Sequence, residues 1–174
     1  TQSRDLDAFA YADKGSVRLA RCEEGLVFTL NAIVAERRVR EKSVYGYLVL
    51  KNGVPIGYGD LELTGRVAAV AFNTFPAYRG GEAAWVFARL LAVVRAVFGS
   101  DEFSLAPYQL GAHNEEAVAS GAWWFYAKLG FAPRAAEARQ LYQRELVKMK
   151  KSTAYRSSAV ILRRLAKYPL YLTL

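Results

Sequence analysis

One stretch in the middle of the chain decides the fold: Phe72-Asn73-Thr74-Phe75-Pro76-Ala77-Tyr78-Arg79-Gly80-Gly81-Glu82-Ala83-Ala84. It begins as an apolar strand, passes through a loop with two adjacent glycines, and enters a long apolar segment that ends before Gly99. A glycine-bearing loop that opens a helix gathers backbone N–H groups and the positive end of the helix dipole at one point. The stretch therefore indicates a site for an anion such as pyrophosphate. An ordinary turn, whose glycines serve only its backbone, is the alternative.

The sequence before this stretch predicts a meander of antiparallel strands. Asn52-Gly53 accepts positive φ at both central positions of a tight turn, and the apolar runs Val44 to Leu50 and Val54 to Leu63 flank it. A second tight connection at Gly65 leads into a strand from Val67 to Phe72. Two further strands are predicted upstream, at Ser16 to Cys22 and Leu26 to Val34. Pro55, Gly57 and Gly59 indicate bulges or a sheet edge.

The sequence after the loop alternates helices and short strands. The helix from Glu82 to Phe98 is apolar at almost every position, so we expect neighbours to cover it on several sides. The remaining predictions are a strand at Phe103 to Leu105, a helix at Glu115 to Leu129 with Gly121 as a candidate kink, helices at Ala135 to Lys151 and Ser158 to Lys167, and a closing strand at Leu170 to Leu174. The fold class is therefore α+β, with a mixed, mainly antiparallel twisted sheet flanked by helices and with extra C-terminal helices.

Length and composition predict one globular domain. The 174 residues suffice for one core, and 53% hydrophobic with 23% charged residues excludes a disordered chain. The core is expected at about residues 16–134, with a C-terminal helical extension and closing strand at 135–174, and the whole to be excised from a longer protein. A single cysteine, Cys22, allows no disulfide within the chain and favours a reducing, cytoplasmic setting. Arg89 and Arg95 interrupt the longest apolar run, which excludes a membrane span there.

The formal net charge of +8 attracts anions of several kinds: nucleic acid, acidic lipid or a phosphorylated cofactor. Much of the excess positive charge lies between Arg37 and Lys42 and between Arg134 and Lys167. Runs of this kind are typical of solvated helix faces, so nucleic acid is not favoured as a partner.

Two separated motifs resemble those of the GCN5-related N-acetyltransferase superfamily. The loop Pro76 to Gly81 with its apolar helix resembles that superfamily's pattern Arg/Gln-x-x-Gly-x-Gly/Ala, with Arg79 in the first place and Ala84 in the last. Phe125-Tyr126-Ala127-Lys128-Leu129-Gly130-Phe131 resembles the end of the family's later helix and the strand that follows. The resemblance covers about Val44 to Arg134 and agrees with the predicted order of strands and helices.

The resemblance implies an acetyl-CoA site and direct acetyl transfer to an amine, without a metal. It places the pyrophosphate on Arg79, Gly80, Gly81, Glu82, Ala83 and Ala84, and the pantetheine arm beside Phe72, Asn73 and Thr74. It also implies that Tyr126 protonates the departing thiolate. A small-molecule or peptide amine would be the acceptor, and a homodimer is an option.

The general base is open, because the residues offer only candidates. Glu62 in the meander is the first choice, and His113 or Glu115 is the second. His113 is the only histidine and has an ordinary pKa suited to proton transfer, although a lone loop histidine more often serves as a hydrogen-bonding residue.

Two departures from the family pattern leave a second function open. Glu82 replaces the loop's central glycine, and its carboxylate either competes with the diphosphate or merely complements the helix dipole. The helix asparagine expected at Ala119 is displaced to Asn114, where it is suited to cap a longer helix. The alternative is therefore a catalytically inactive binding or scaffolding module. The aromatic run Trp123 to Tyr126 is expected to be covered by the C-terminal helices or to line a groove.

Overall fold

The computed structural model describes residues 7–38 and 42–174, which form eight strands and seven α-helices. The chain divides into two compact units, Thr1–Phe103 and Ser104–Leu174. The part of the Arg37 to Lys42 charge run at residues 39–41 lies outside the described residues.

The first unit is built on antiparallel strands that follow one another in chain order. The strands are β1 (Arg18–Arg21), β2 (Leu26–Ala32), β3 (Ser43–Lys51), β4 (Val54–Thr64) and β5 (Val67–Thr74), and β6 (Glu102–Leu105) starts at the end of the unit. Each of β1 to β4 pairs antiparallel with the next strand. The five strands predicted from the sequence are therefore confirmed, with ends shifted by a few residues because strand ends fray.

The turn between β3 and β4 confirms the Asn-Gly hairpin, since Asn52 has φ 51° and Gly53 has φ 81°. The register changes just before this turn: Val49 pairs with Gly57, whereas Leu50 pairs with Pro55. Ile56 is therefore the extra residue of a bulge, as the sequence around Pro55 indicates.

The helix α2 (Ala83–Phe98) packs on one face of this sheet. Its Phe87 ring lies 5.1 Å from Phe72 and its Phe98 ring 4.6 Å from Tyr45, measured between ring centroids. The buried positions of α2 are Val86, Phe87, Leu90, Leu91 and Val94. The expectation that α2 is covered on several sides is wrong, because its remaining face carries exposed alanines at positions 88, 92 and 96. Alanine gives a high hydrophobic count while adding little area that needs burial.

The opposite face of the sheet carries a short helix that the sequence analysis did not find, α1 (Asp7–Ala10). The side-chain amide of Asn31 donates to the carbonyl oxygen of Ala8 at 2.8 Å and fixes this helix. Gly46 lies beneath it, where a Cβ would come within 3.1 Å of the Ala8 Cβ.

The second unit is mainly helical. Its helices are α3 (Pro107–Leu110), α4 (Glu115–Ser120), α5 (Ala122–Lys128), α6 (Ala136–Lys151) and α7 (Ala159–Leu165), and its strands are β7 (Ala132–Pro133) and β8 (Leu170–Thr173). The single helix predicted from Glu115 to Leu129 is instead two helices, because Gly121 adopts φ 71° between α4 and α5. The closing strand is confirmed, and it pairs antiparallel with β7 through Tyr171 and Ala132.

The two tryptophans of the aromatic run are covered by α6, as expected for the C-terminal helices. Trp123 is fully buried, and the Tyr142 ring of α6 lies 5.2 Å from Trp123 and 5.8 Å from Trp124. The Trp124 indole N–H donates to the hydroxyl of Ser157 at 3.1 Å, which ties the segment before α7 to α5. The predicted α+β class, with a mainly antiparallel sheet, flanking helices and extra C-terminal helices, is confirmed.

Candidate functional site

The first unit contains a cavity of about 480 Å³ where the loop after β5 opens α2. Phe72, Thr74 and residues 77–83 line it together with the ends of β3 and β4. The loop contains a short 3-10 turn, Pro76–Tyr78, which begins with proline at a position where no N–H is needed. The predicted anion site and the predicted strand end therefore share one cavity.

The loop leaves backbone donors available at the start of α2. The N–H of Ala83 donates to the carbonyl oxygen of Gly80 at 3.0 Å, so Ala83 is not one of them. The N–H groups of Gly81, Glu82 and Ala84 have no backbone acceptor among the described residues. A Cβ built on Gly80 or Gly81 would meet no atom within 4 Å, so both glycines border open space. This arrangement suits an anion that approaches the main chain closely.

Arg79 is anchored beside these donors. Its Nε donates to the carbonyl oxygen of Thr74 at 3.2 Å, which holds the side chain along the end of β5. A guanidinium has five N–H donors in a planar fork, a geometry that matches phosphate oxygens.

Glu82 does not cover the helix start with its carboxylate. It occupies the N-cap position in αR conformation, and its side chain makes no capping hydrogen bond. The side chain is 66% exposed, and its Oε2 lies 3.8 Å from the ammonium nitrogen of Lys51. The carboxylate therefore stands at the rim of the cavity, and the backbone donors stay uncovered.

Lys51 is a site residue that the sequence analysis missed. It ends β3, and its ammonium lies 3.4 Å from Glu24 Oε2 and 4.5 Å from the centroid of the Trp85 ring. The signal was available in the sequence, because a lysine directly before the Asn52-Gly53 turn must stand at the end of the hairpin. What the sequence did not indicate is that α2 begins at that same end.

The predicted pantetheine residues divide between the two faces of β5. Phe72 and Thr74 line the cavity, whereas Asn73, between them, points to the opposite face because side chains alternate along a strand. The backbone of these residues pairs with β4, where Thr74 faces Gly57. The N–H groups of Asp101 and Glu102 bond to the carbonyl oxygen of Arg66, so β6 begins beside the other end of β5.

Glu62 lies away from the cavity. It is five residues beyond Gly57 in β4, which corresponds to about 17 Å along an antiparallel strand. Its carboxylate pairs with Lys42, and its side chain is 42% exposed. The structure therefore does not bring Glu62 together with the loop, and its role as a base stays a prediction.

The other candidate bases, in the second unit, are surface residues. His113 is exposed and has φ 56° in the turn between α3 and α4. Glu115 accepts two hydrogen bonds from Arg163, at 3.0 and 2.7 Å, and these bonds lower the pKa of its carboxyl group. A carboxylate held in this way is a weaker base. Asn114 caps α4 by accepting from the N–H of Ala117 at 3.1 Å, which confirms its capping role.

Tyr126 lies in α5 and is 4% exposed. Its hydroxyl is 3.3 Å from the side-chain oxygen of Gln109, with the geometry of a hydrogen bond donated to that oxygen. Burial raises the pKa of Tyr126, so the phenol stays protonated throughout the physiological range. The Tyr126 side chain is thus uncharged at neutral pH.

The described residues contain no group of three or more histidine, cysteine, aspartate or glutamate side chains placed to hold a metal ion. Among the helices of the described ranges 7–38 and 42–174, none combines the length and the apolar character that crossing a membrane requires.

Comparisons with known proteins give structural but not sequence matches. No family model and no curated protein matches the chain. The N-acetyltransferase PseH of Campylobacter jejuni is similar at 13% identity and a TM-score of 0.46, over 75% of this chain and 67% of that one. Its complex with acetyl coenzyme A matches with a TM-score of 0.45 at the same identity and coverage.

A second similar protein is the spermidine N-acetyltransferase of Vibrio cholerae, solved in complex with CoA and spermine. It has 21% identity and a TM-score of 0.39, over 53% of each chain, so the match spans about half of that enzyme. Both of these similar proteins are N-acetyltransferases, at low identity.

Proposed function

We propose that this protein is an N-acyltransferase that moves the acetyl group of acetyl-CoA to an amine by direct attack. The observation that carries the proposal is the cavity at the start of α2, where uncovered N–H donors, open glycines and Arg79 meet the end of β5. The two sequence motifs support the same reading, since both lie at the positions that the resemblance requires along the chain.

The residues present fit the charged part of the donor. The N–H groups of Gly81, Glu82 and Ala84 supply directional donors, and the guanidinium of Arg79 adds a charge that pairs with phosphate oxygens. The open space over Gly80 and Gly81 gives a phosphate access to the main chain. Phe72 and Thr74 would border the pantetheine arm, as the resemblance implies.

The transfer needs one group that takes a proton and one that gives it. The amine nitrogen attacks the thioester carbon, the carbon–sulfur bond breaks, and the sulfur leaves as a thiolate. On the sequence motif, Tyr126 donates its phenolic proton to that thiolate; burial keeps the phenol protonated but also makes it a weaker acid. The amine loses its proton to a base, for which Glu62, His113 and Glu115 stay the candidates.

The acceptor is proposed only as a class, a small-molecule or peptide amine. Spermine, bound by the Vibrio cholerae enzyme, is one member of that class. The cytoplasmic setting rests on the lone Cys22 and, like self-association into a homodimer, stays a prediction.

The test is release of the CoA thiol from acetyl-CoA in the presence of a panel of amines that includes spermine, an amino acid and a peptide. Acetyl transfer to any of them, lost in Tyr126→Phe, supports the proposal. Binding of acetyl-CoA without transfer to any amine supports instead the inactive binding module that Glu82 suggested.

A further inference from the structure

The cavity at the start of α2 contains a cation that the proposed function has not used. Lys51 comes from β3 rather than from the phosphate loop, yet it lines the same cavity as Gly80, Gly81 and Glu82. Its side chain is only 19% exposed, so its position is more restricted than that of an ordinary surface lysine.

Three contacts hold Lys51 at the mouth of the cavity. The ammonium stands over the ring of Trp85, in the first turn of α2, at 4.5 Å from the centroid. Two carboxylates compete for it, Glu24 at 3.4 Å and Glu82 at 3.8 Å. Neither ion pair has the 2.7–2.9 Å separation of a strong charge-assisted hydrogen bond, so the ammonium is poorly satisfied by either one.

The mouth has no excess positive charge until a carboxylate moves away, because the charges of Lys51 and Arg79 only match those of Glu24 and Glu82. One ammonium faces two carboxylates, and Arg79 lies along the end of β5, bonded to the carbonyl oxygen of Thr74. An incoming phosphate would repel Glu82 and attract Lys51, and the side chain of Glu82 is free to move because it is 66% exposed.

We propose that Lys51 is a phosphate-binding residue of the donor cavity and that Glu82 is the carboxylate that holds it before the donor binds. When a phosphate enters, the ammonium exchanges Glu82 for a phosphate oxygen, and Glu82 turns to solvent. The inference rests on the proposed function. Glu82 then does not block the site, because its carboxylate neutralises the ammonium of Lys51 while no donor is bound.

The test is calorimetric titration of four variants and the wild type with CoA, dephospho-CoA and acetylpantetheine. Lys51→Gln removes the cation, Lys51→Arg keeps it, and Glu82→Gln removes the competitor. Arg95→Gln is the matched control, because it removes the same charge from the exposed, far end of α2. Circular dichroism melting of each variant checks that the fold is kept.

Lys51→Gln is expected to weaken CoA binding about tenfold, the loss of one hydrogen bond to a charged group. Lys51→Arg restores most of it, Glu82→Gln tightens CoA binding about threefold, and Arg95→Gln stays within about twofold of wild type. Acetylpantetheine, which carries no phosphate, is unaffected by any variant. Dephospho-CoA separates the two phosphate sources: an undiminished effect of Lys51→Gln assigns the lysine to the diphosphate, and a lost effect assigns it to the 3′-phosphate.

The outcomes separate the two proposals. If the wild type binds CoA but Lys51→Gln binds it equally well, or loses acetylpantetheine to the same extent, the role of Lys51 is overturned and the proposed function stands. If Lys51→Gln does not fold, an unchanged CoA affinity in the exposed variant Glu82→Gln overturns the inference. If the wild type binds no CoA at all, the proposed function fails and this inference fails with it.

Discussion

The carboxylate of Glu145 is fully buried in the second unit and accepts a hydrogen bond from the hydroxyl of Tyr155 at 2.7 Å. Ser157 donates to it at 2.5 Å and Lys148 at 2.7 Å, so each carboxylate oxygen has a partner. The segment between α6 and α7 is thus fastened to α6 by one buried charge.

Glu145→Ala is expected to lower the free energy of unfolding by about 3 kcal/mol, because Tyr155, Ser157 and Lys148 then lose the acceptor of their hydrogen bonds. Chemical denaturation measures the change. The control is Glu137→Ala on the same helix, whose carboxylate is 67% exposed and is expected to cost no more than about 1 kcal/mol. Equal losses in both variants would show that the burial of Glu145 does not matter.

Stability is expected to fall in acid through the same residue. Burial raises the pKa of Glu145, but the hydrogen bonds from Lys148, Ser157 and Tyr155 outweigh it, so the pKa lies below its ordinary value of 4.5. The folded state therefore binds this proton less readily than the unfolded state, and the stabilisation is present above pH 4.5 and is lost as the pH falls below it. Unfolding measured between neutral and acid pH should show a smaller pH dependence in Glu145→Gln than in the wild type.

Gly59→Ala is expected to destabilise the first unit by about 3 kcal/mol or more, because a Cβ there collides with the carbonyl oxygen of Ala71 and the hydroxyl of Tyr47. The Tyr47 hydroxyl donates a hydrogen bond of 2.6 Å to this carbonyl oxygen, so neither atom moves away easily. Gly80→Ala is the control, since its Cβ meets nothing within 4 Å. A thermal melt that ranks the two variants equally would contradict this packing.

Tyr126→Phe is expected to lower kcat about a hundredfold while leaving the Kd for acetyl-CoA unchanged, as befits a proton donor that acts on the leaving group. Steady-state kinetics with the amine that the acceptor panel identifies would measure the effect. An unchanged kcat would remove Tyr126 from the reaction.

Much of the fold follows from local signals in the sequence. Asn52-Gly53 fixes the hairpin because few residues accept positive φ, and the apolar run from Ala83 to Phe98 is long enough to be identified as a helix. The sequence predicts a kink at Gly121, whereas the structure has two separate helices there. The two cases cannot be told apart, because an αL glycine between two helices and a kink within one helix have the same sequence pattern.

The site residues that are adjacent in sequence could be predicted, whereas a residue that strand pairing brings to the site could not. Arg79, Gly80 and Gly81 are consecutive, so their common cavity follows from one loop. Lys51 reaches that cavity through the register of β3 and β4, which includes a bulge that no local pattern places. Glu62 is the first-choice base in the meander, yet the length of β4 separates it from the cavity.

The most direct test of the donor cavity is calorimetric titration of the wild type and Gly81→Val with acetyl-CoA. The substitution is expected to leave the melting temperature nearly unchanged, because a Cβ at Gly81 meets no atom, and to abolish detectable binding by filling the space that the diphosphate needs. Ala88→Val, on the exposed face of α2, should bind like the wild type. Binding of acetyl-CoA that is equally tight in Gly81→Val, or no binding by the wild type at millimolar ligand, would contradict the assignment of this cavity.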